Sequence, residues 1–194
     1  MIVWINGTFG SGKTQTAHEL HRRMPGTFLY DPENVGYWLR KNEPAYLQKD
    51  NFQDEALWRS VNRQMLLHLA RHCAGDVIVP MTLVSAQYYD EIIGALRREG
   101  VSVHHFVLWA GESTVRRRLR QRLEFGNSWA VQQLPGCLSA LSDPRFENKI
   151  QTEGKSIPAV AEEIAGQLSL PLLPRAHPLM QRVYQLRAQY GAIR

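Results

Sequence analysis

Residues 7 to 14 combine glycines, a lysine and a threonine at a spacing that suits the binding of phosphate groups. Gly7 and Gly12 are separated by four residues, and Lys13 and Thr14 follow directly, which is the P-loop (Walker A) pattern. In such loops the backbone N–H groups and the lysine hold phosphate oxygens, while the hydroxyl holds Mg²⁺. We therefore predict a site for ATP and Mg²⁺, with the metal on Thr14 and nucleotide contacts from Gly7, Gly10, Ser11, Gly12, Lys13, Thr14 and Gln15.

The segments on either side of this loop favour a functional site over a chance match. Residues 1–6 are nearly all apolar, which is typical of a strand buried on both faces of a parallel sheet. A helix is predicted for residues 13–24, and its positive N-terminal end adds to the phosphate site. Residue types, spacing and flanking elements thus agree.

A P-loop alone does not separate kinases from other nucleotide-binding proteins. The apolar run 77–79 leads into Pro80 and Met81, and the run 107–109 leads into Ala110, so neither ends in the aspartate of a Walker B motif. Asn148 and Lys149 resemble a guanine-reading motif, but Gln151 replaces its aspartate. These departures argue against a GTPase and leave the small-molecule kinases.

Asp31 is the leading candidate for a catalytic carboxylate. The predicted strand 27–31 delivers it to the carboxyl edge of the sheet, where ligands of open α/β sheets bind. It would act as general base on the acceptor hydroxyl or as an outer Mg²⁺ contact. An N-cap role is a competing interpretation, because Pro32 suits the first helical position. Thr82, at another strand end, is a candidate contact to substrate.

Residues 112–122 carry five arginines. Arg118 and Arg122 are four residues apart, so they share one helix face and can converge on one ligand. Guanidinium groups suit both stacking on adenine and bidentate phosphate contact, so both arginines and Lys13 are predicted to stabilise charge during catalysis. A solvated basic face or a nucleic-acid patch is the alternative.

The loop 153–158 follows the last predicted strand. Gly154 would allow close backbone approach to adenine, and Ser156 is placed to cap the next helix. A plain strand-to-helix turn is an equally good interpretation of this segment.

Apolar runs alternate with helical stretches along the chain, which predicts a three-layer α/β/α fold with a five-stranded parallel sheet. One domain is expected over residues 1–170, with an arginine lid around 112–147. Within that lid, residues 125–147 are predicted as loop with at most one short helix, because they are rich in glycine and proline. Residues 171–194 are predicted as a linker and a terminal helix packed on the domain or extending from it. Strands are predicted at 1–6, 27–31, 76–81, 103–109 and 148–152, and helices at 13–24, 54–73, 85–99, 113–123 and 156–168.

Composition narrows the function classes. The chain has 194 residues, 23 basic against 18 acidic, and two distant cysteines, Cys73 and Cys137, so free thiols in a cytoplasmic protein are expected and a zinc site is not. Neither a membrane span nor a signal peptide is predicted. The net charge of +5 is compatible with a nucleic-acid-linked ATPase as well as with a small-molecule kinase, but no nucleic-acid recognition motif supports the former.

The basic terminal helix suggests peripheral membrane contact or a homodimer, although its apolar stripe (Leu179, Val183, Leu186, Tyr190) is predicted to pack on the domain.

Several segments together resemble the tunicamycin-resistance ATP-binding proteins, relatives of chloramphenicol phosphotransferase and of nucleoside kinases. The matching stretches span most of the chain up to residue 168, and they are residues 2–14, 30–36, 79–84, 152–158 and the pair Arg118 and Arg122. The resemblance implies ATP binding and a role in tolerance to a nucleoside antibiotic. Phosphorylation of the drug and its sequestration without chemistry both stay open at this point.

Overall fold

The computed structural model describes residues 1–122 and 128–191, with the side chains of residues 189–191 left aside. The end of the predicted helix 113–123, residues 125–127 of the predicted loop and the Tyr190 side chain therefore lie outside the described residues. The strands are β1 (Ile2–Gly7), β2 (Phe28–Leu29), β3 (Val77–Pro80), β4 (Val103–Trp109) and β5 (Lys149–Gln151). The helices are α1 (Lys13–Arg23), α2 (Glu33–Asn42), α3 (Ala56–His72), α4 (Ala86–Tyr89), α5 (Ala95–Arg98), α6 (Glu112–Gln121), α7 (Trp129–Leu141), α8 (Ile157–Gln167) and α9 (Pro178–Gly191), with a π-helical stretch, Asp90–Gly94, joining α4 to α5.

The five strands form one parallel sheet in the order β2-β3-β1-β4-β5. In the central strand β1, Ile2 and Trp4 pack into one apolar core while Val3 and Ile5 pack into another. All four are almost fully buried, which is why this strand consists of continuous apolar residues. The predicted three-layer fold is confirmed.

Helices cover both faces of the sheet and leave its carboxyl edge for the loops. Residues of α1 and α8 belong to one core, and residues of α2, α3 and the α4–α5 unit belong to the other. Because the strands are parallel, β1, β2, β3, β4 and β5 all end at the same edge. The glycine-rich loop, Asp31, Thr82 and the 152–157 loop are brought together there, as expected of open α/β sheets.

The prediction of a loop over most of residues 125–147 is wrong. Residues 129–141 form the regular helix α7, capped by the Ser128 hydroxyl, which accepts from the Val131 N–H. Pro135 lies inside it. Four side chains at helical spacing are buried on one face: Ala130, Leu134, Cys137 and Leu141. Burial of this face outweighs the unfavourable local propensity of proline and glycine.

The prediction that the apolar stripe of the terminal helix packs on the domain is also wrong. Leu179 is 68% exposed and Leu186 is 52% exposed. The opposite face of α9, with Tyr184 and Ala188, lies against α1 instead. Membrane contact and dimerisation through this basic helix stay predictions. No helix in the described part of the chain has the length and hydrophobicity of a membrane span.

Candidate functional site

The glycine-rich loop is shaped to present backbone N–H groups. Gly10 and Gly12 have φ angles of 76° and 100°, which glycine adopts without strain. None of the described side chains caps the first turn of α1, and that turn holds no acidic residue. The buried Ser11 hydroxyl has no hydrogen-bond partner. An uncapped helix N-terminus and an orphaned hydroxyl fit a phosphate ligand.

Lys13 lies over this loop. Its Nζ donates to the Thr8 carbonyl oxygen at 2.9 Å and stands 5.6 Å from the centre of the Phe9 ring. Burial lowers the Lys13 pKa to about 8, Glu33 opposes the shift and Arg122 adds to it. The pKa falls chiefly because water solvates the buried Lys13 ammonium poorly, and an anionic phosphate bound beside it would raise the pKa again.

Three cavities follow one another along the carboxyl edge of the sheet. We call them the arginine cleft, about 370 Å³, the lysine niche, about 100 Å³, and the aromatic cleft, about 320 Å³. Gly10, Gly12 and Arg122 line both the arginine cleft and the niche, and Phe9 and Glu33 line both the niche and the aromatic cleft. The niche therefore lies between the two clefts.

The lysine niche collects most of the predicted catalytic and metal-binding groups. Lys13, Thr14, Asp31 and Arg122 line it, whereas Arg118, which is also predicted to be catalytic, lines only the arginine cleft. One Asp31 carboxylate oxygen accepts from the Glu33 N–H at 3.0 Å, so this residue does cap the start of α2. Asp31 can cap the helix and also contact a ligand in the site, because a carboxylate has enough lone pairs to accept hydrogen bonds from both partners.

The niche suits Mg²⁺ bound together with phosphates. Within the described residues, no group of three or more His, Cys, Asp and Glu side chains could hold a metal alone. Thr14 and Asp31 supply one hydroxyl and one carboxylate, which matches the few protein ligands that Mg²⁺ keeps beside phosphate oxygens and water. These two residues fit the ion only as partners of a nucleotide.

Arg118 and Arg122 both line the arginine cleft, as their spacing predicts. Arg118 donates to the Thr152 hydroxyl at 3.0 Å and to the Thr152 carbonyl oxygen at 2.8 Å. Its guanidinium plane is therefore fixed across the end of β5. Burial and then the neighbouring Arg117 lower the Arg118 pKa, but a guanidinium stays charged.

The loop after β5 forms another wall of the arginine cleft through Lys155, Ser156 and Ile157. Ser156 caps α8 by accepting from the Ala159 N–H, as predicted. Gly154 has a φ angle of 68° and its position has open space around it, so it makes the turn without lining the cleft. Its contact with a nucleotide stays a prediction.

The aromatic cleft lies on the other side of the niche. Four rings line it, Phe9, Tyr37, Phe52 and Trp129, and Phe9 meets Trp129 edge to face at 5.0 Å. Of the other aromatic residues near Asp31 in sequence, Trp58 is fully buried in the core while Trp38 and Tyr46 are exposed. Besides Glu33 and Thr82, polar groups in the cleft come from the segment 50–53 and from Arg40, whose guanidinium donates to the Asp50 carbonyl oxygen at 2.6 Å.

A buried polar network fixes the loop to the aromatic cleft. The Thr82 hydroxyl donates to the Gly7 carbonyl oxygen at 3.0 Å. The Asn6 side-chain oxygen accepts from the N–H groups of Gly7 and Leu83 at 2.7 and 2.9 Å, and its amide lies 3.1 Å from His105 Nε2. Burial, with a smaller contribution from Arg97, lowers the His105 pKa to about 3, so this imidazole is neutral. Thr82 thus braces the loop while it lines the cleft, and its contact with substrate stays a prediction.

Sequence reasoning missed several lining residues. Glu33 was within reach, because it belongs to the motif that begins at Asp31. Phe9 and Trp129 carry no local signal, since they meet only through the packing of α7 over the loop. Gln185 lines the arginine cleft from α9, and nothing in its neighbourhood in the sequence indicates a site.

Comparisons with known proteins identify the family of this chain. A family model described as an AAA domain matches residues 2–133. The tunicamycin resistance protein of Deinococcus radiodurans has 37% sequence identity and a TM-score of 0.79, and the match covers 90% of this chain and 98% of that chain. No curated protein gives a significant match.

More distant solved structures support the fold alone. A gluconokinase from Sinorhizobium meliloti 1021 is 17% identical, with a TM-score of 0.61 and coverage of 86% of this chain and 90% of that chain. A shikimate kinase from Bacteroides thetaiotaomicron is 16% identical, with a TM-score of 0.56 and coverage of 88% and 99%. The family model spans more than half of this sequence, and the Deinococcus match extends over nine-tenths of it. This chain therefore belongs to the AAA-domain family of P-loop proteins and to the tunicamycin resistance proteins.

Proposed function

We propose that the chain is a cytoplasmic ATP-dependent kinase that transfers the γ-phosphoryl group to a hydroxyl of a nucleoside antibiotic such as tunicamycin. The observation that carries the proposal is the position of the lysine niche. It lies between two larger cavities and shares lining residues with each. A donor in the arginine cleft and an acceptor in the aromatic cleft would meet at Lys13 and Asp31, which direct transfer requires.

The charges of the niche suit phosphoryl transfer. Lys13 and Arg122 place two cations where the transferred group would sit, and preorganised cations stabilise the charge of the transition state. Asp31 supplies the carboxylate that would accept the proton of the acceptor hydroxyl as its oxygen bonds to phosphorus. The bond from the γ-phosphorus to its bridging oxygen breaks, and ADP leaves through the arginine cleft.

Thr14 and phosphate oxygens would hold Mg²⁺, and Asp31, which lines the same niche, would be an outer contact. When bound, the ion neutralises phosphate charge. The protein groups of the niche orient the two reactants around it.

The aromatic cleft supports an acceptor that has a planar ring and hydroxyl groups. Tyr37 and Phe52 line the cleft with aromatic rings, and Asn51 and Gln53 line it with amides, of which the Gln53 amide donates to the Thr82 carbonyl oxygen at 2.8 Å. Base stacking and amide hydrogen bonds are the usual means of holding a nucleobase. The printed name of the Deinococcus protein points to tunicamycin as the first acceptor to test.

The test is a mass measurement of the acceptor after incubation with the protein, ATP and Mg²⁺. The expected result is a gain of one phosphoryl group, and Asp31→Asn is expected to slow its formation about a hundred-fold or more with ATP affinity retained. Asp90→Asn, which changes an exposed carboxylate on the π-helical stretch, is the matched control, and this variant should form the product at the rate of the unaltered protein. If tunicamycin and other nucleoside acceptors all keep their mass, the proposed transfer is wrong.

A second candidate, nucleotide-gated sequestration of the drug, is favoured by one observation. The described ends of β3 and β4 carry no carboxylate, and β3 is followed instead by Met81 and Thr82, which line the aromatic cleft. Under sequestration, ATP would tighten drug binding and Asp31→Asn would keep resistance. Loss of resistance in that variant with binding intact would count against sequestration.

A further inference from the structure

The C-terminal helix reaches the arginine cleft. We propose that α9 forms the outer wall of the nucleotide site and that the Gln185 side chain contacts the nucleobase. This inference rests on the nucleotide-binding half of the proposed function, and it does not depend on transfer. Gln185 lines the cleft together with the P-loop backbone, Arg118 and Ile157, although it lies 170 residues from Gln15, its contact on α1.

The arginine cleft combines a phosphate-binding wall with groups that suit a nucleobase. Gly10 to Gly12 form the phosphate-binding wall through their backbone. Ile157 lies beside that wall, since a Cβ at Gly12 would stand 3.2 Å from its Cδ1, and Arg118 offers a fixed planar cation. A cavity of about 370 Å³ lies within the range of roughly 300–1,000 Å³ typical of small-molecule sites.

Gln185 adds an amide to the polar groups that line the arginine cleft, among them Gln121, Lys155 and Ser156. Ile157 and the Arg118 guanidinium suit the planar faces of a base, and the edge of a base carries donors and acceptors that need polar partners. A glutamine amide provides both kinds of group. Gln185 is half-buried, so its side chain is partly accessible to a ligand in the cleft.

The contact between α9 and α1 leaves room for a ligand to strengthen it. Gln15 Nε2 donates to the Gln185 carbonyl oxygen at 3.5 Å, and the Arg22 guanidinium lies 5.4 Å from the centre of the Tyr184 ring. A second cavity of about 310 Å³ separates the two helices beside these contacts. A nucleotide that touches both walls would therefore hold α9 more firmly on α1.

Two ligands separate the base contact from the phosphate contacts. ATP and tripolyphosphate share a triphosphate chain, and only ATP has a base. Removal of one neutral hydrogen bond corresponds to a loss of about five-fold in affinity. Gln185→Ala is expected to lower the affinity for ATP by that factor and to leave the affinity for tripolyphosphate unchanged.

Gln181→Ala is the matched control, because Gln181 lies one turn earlier on α9 and its amide donates to the Ala176 carbonyl oxygen outside the cleft. It should bind both ligands as the unaltered protein does. A Gln185→Ala protein that binds ATP with unchanged affinity would overturn the proposal. An equal loss for ATP and tripolyphosphate would overturn it too, since the effect would then lie with the phosphates.

Hydrogen exchange on the unaltered protein gives an independent measurement. Backbone amides of residues 178–188 should exchange more slowly with ATP present than with tripolyphosphate present. Equal exchange with the two ligands would contradict a base contact from α9. A protein that binds ATP in this manner but phosphorylates no acceptor would refute the proposed transfer and leave this inference standing.

Discussion

Raising the pH should weaken ATP binding through one group, the Lys13 ammonium. In the free protein, burial brings its pKa down to about 8 from 10.5. Bound phosphate would favour the charged form and raise that pKa again. Above pH 8 the protein must therefore take up a proton to bind ATP, and affinity falls as the pH rises.

The size of the effect follows from the pKa. With a value of about 8, Lys13 is about 90% protonated at pH 7 and about 10% protonated at pH 9. If the bound form stays protonated over this range, the dissociation constant for ATP rises about ten-fold between the two pH values. The phosphates contribute little, because the last phosphate ionisation is complete near pH 7.

Calorimetric titration of ATP at constant ionic strength between pH 7 and pH 9 measures this directly. Lys13→Arg is the control, because a guanidinium stays protonated throughout. Its affinity, weaker or not, should be independent of pH in that range. A flat profile for the unaltered protein, or the same slope in both proteins, would refute the argument that a buried, partly neutral Lys13 limits binding.

Two further predictions concern the framework of the site. The folded-state pKa of His105 lies at about 3, below its ordinary value of 6.5, so the unfolded chain binds more protons between those values and stability falls as the pH falls through that window. Protonation of His105 should lower the free energy of unfolding by about 3 kcal/mol between pH 7 and pH 4, as measured by urea unfolding. The His105→Gln protein should lack this loss. Equal pH dependence of stability in the two proteins would contradict the prediction. Gly7→Ala should cost about 2–4 kcal/mol and abolish ATP binding, because a Cβ there would stand 2.8 Å from the Leu108 carbonyl oxygen at a φ of 145°. Gly166→Ala on α8 is the control, because a Cβ at that position would meet no atom within 4 Å. It should leave stability unchanged or raise it by up to about 1 kcal/mol in the same unfolding assay. A similar loss of stability in both variants would argue against steric conflict at Gly7.

Much of the sheet could be predicted because each strand has a local signature. Buried parallel strands are continuous apolar runs. β1 and β3 have that pattern, and β4 has it over residues 106–109. The two-residue strand β2 was also predicted, within the short apolar run 27–31. Helix α7 was missed because Pro135 and Gly136 argue against a helix locally, while the apolar face that stabilises it acts through contacts with Phe9 and α6.

The clefts beside the P-loop could be predicted only in part. Arg118 and Arg122 share a helix face, so their spacing was sufficient to place them together. Phe9 and Trp129 come from distant segments of the chain. Gln185 comes from α9, whose apolar stripe was predicted to face the domain but is exposed. Sequence patterns report which side chains are apolar, and they do not report which neighbouring surface is available to cover them.

The phosphate-binding loop follows from a local stretch of sequence. Residues 7–14 are contiguous, and the backbone angles that turn their N–H groups toward a phosphate depend on glycines within the same few residues. The arrangement of Asp31, Arg122 and the two clefts around Lys13 could not be predicted in this way. It depends on how α6, α7 and α9 pack over the carboxyl edge of the sheet. Such packing is the sum of many weak contacts between residues far apart in the chain.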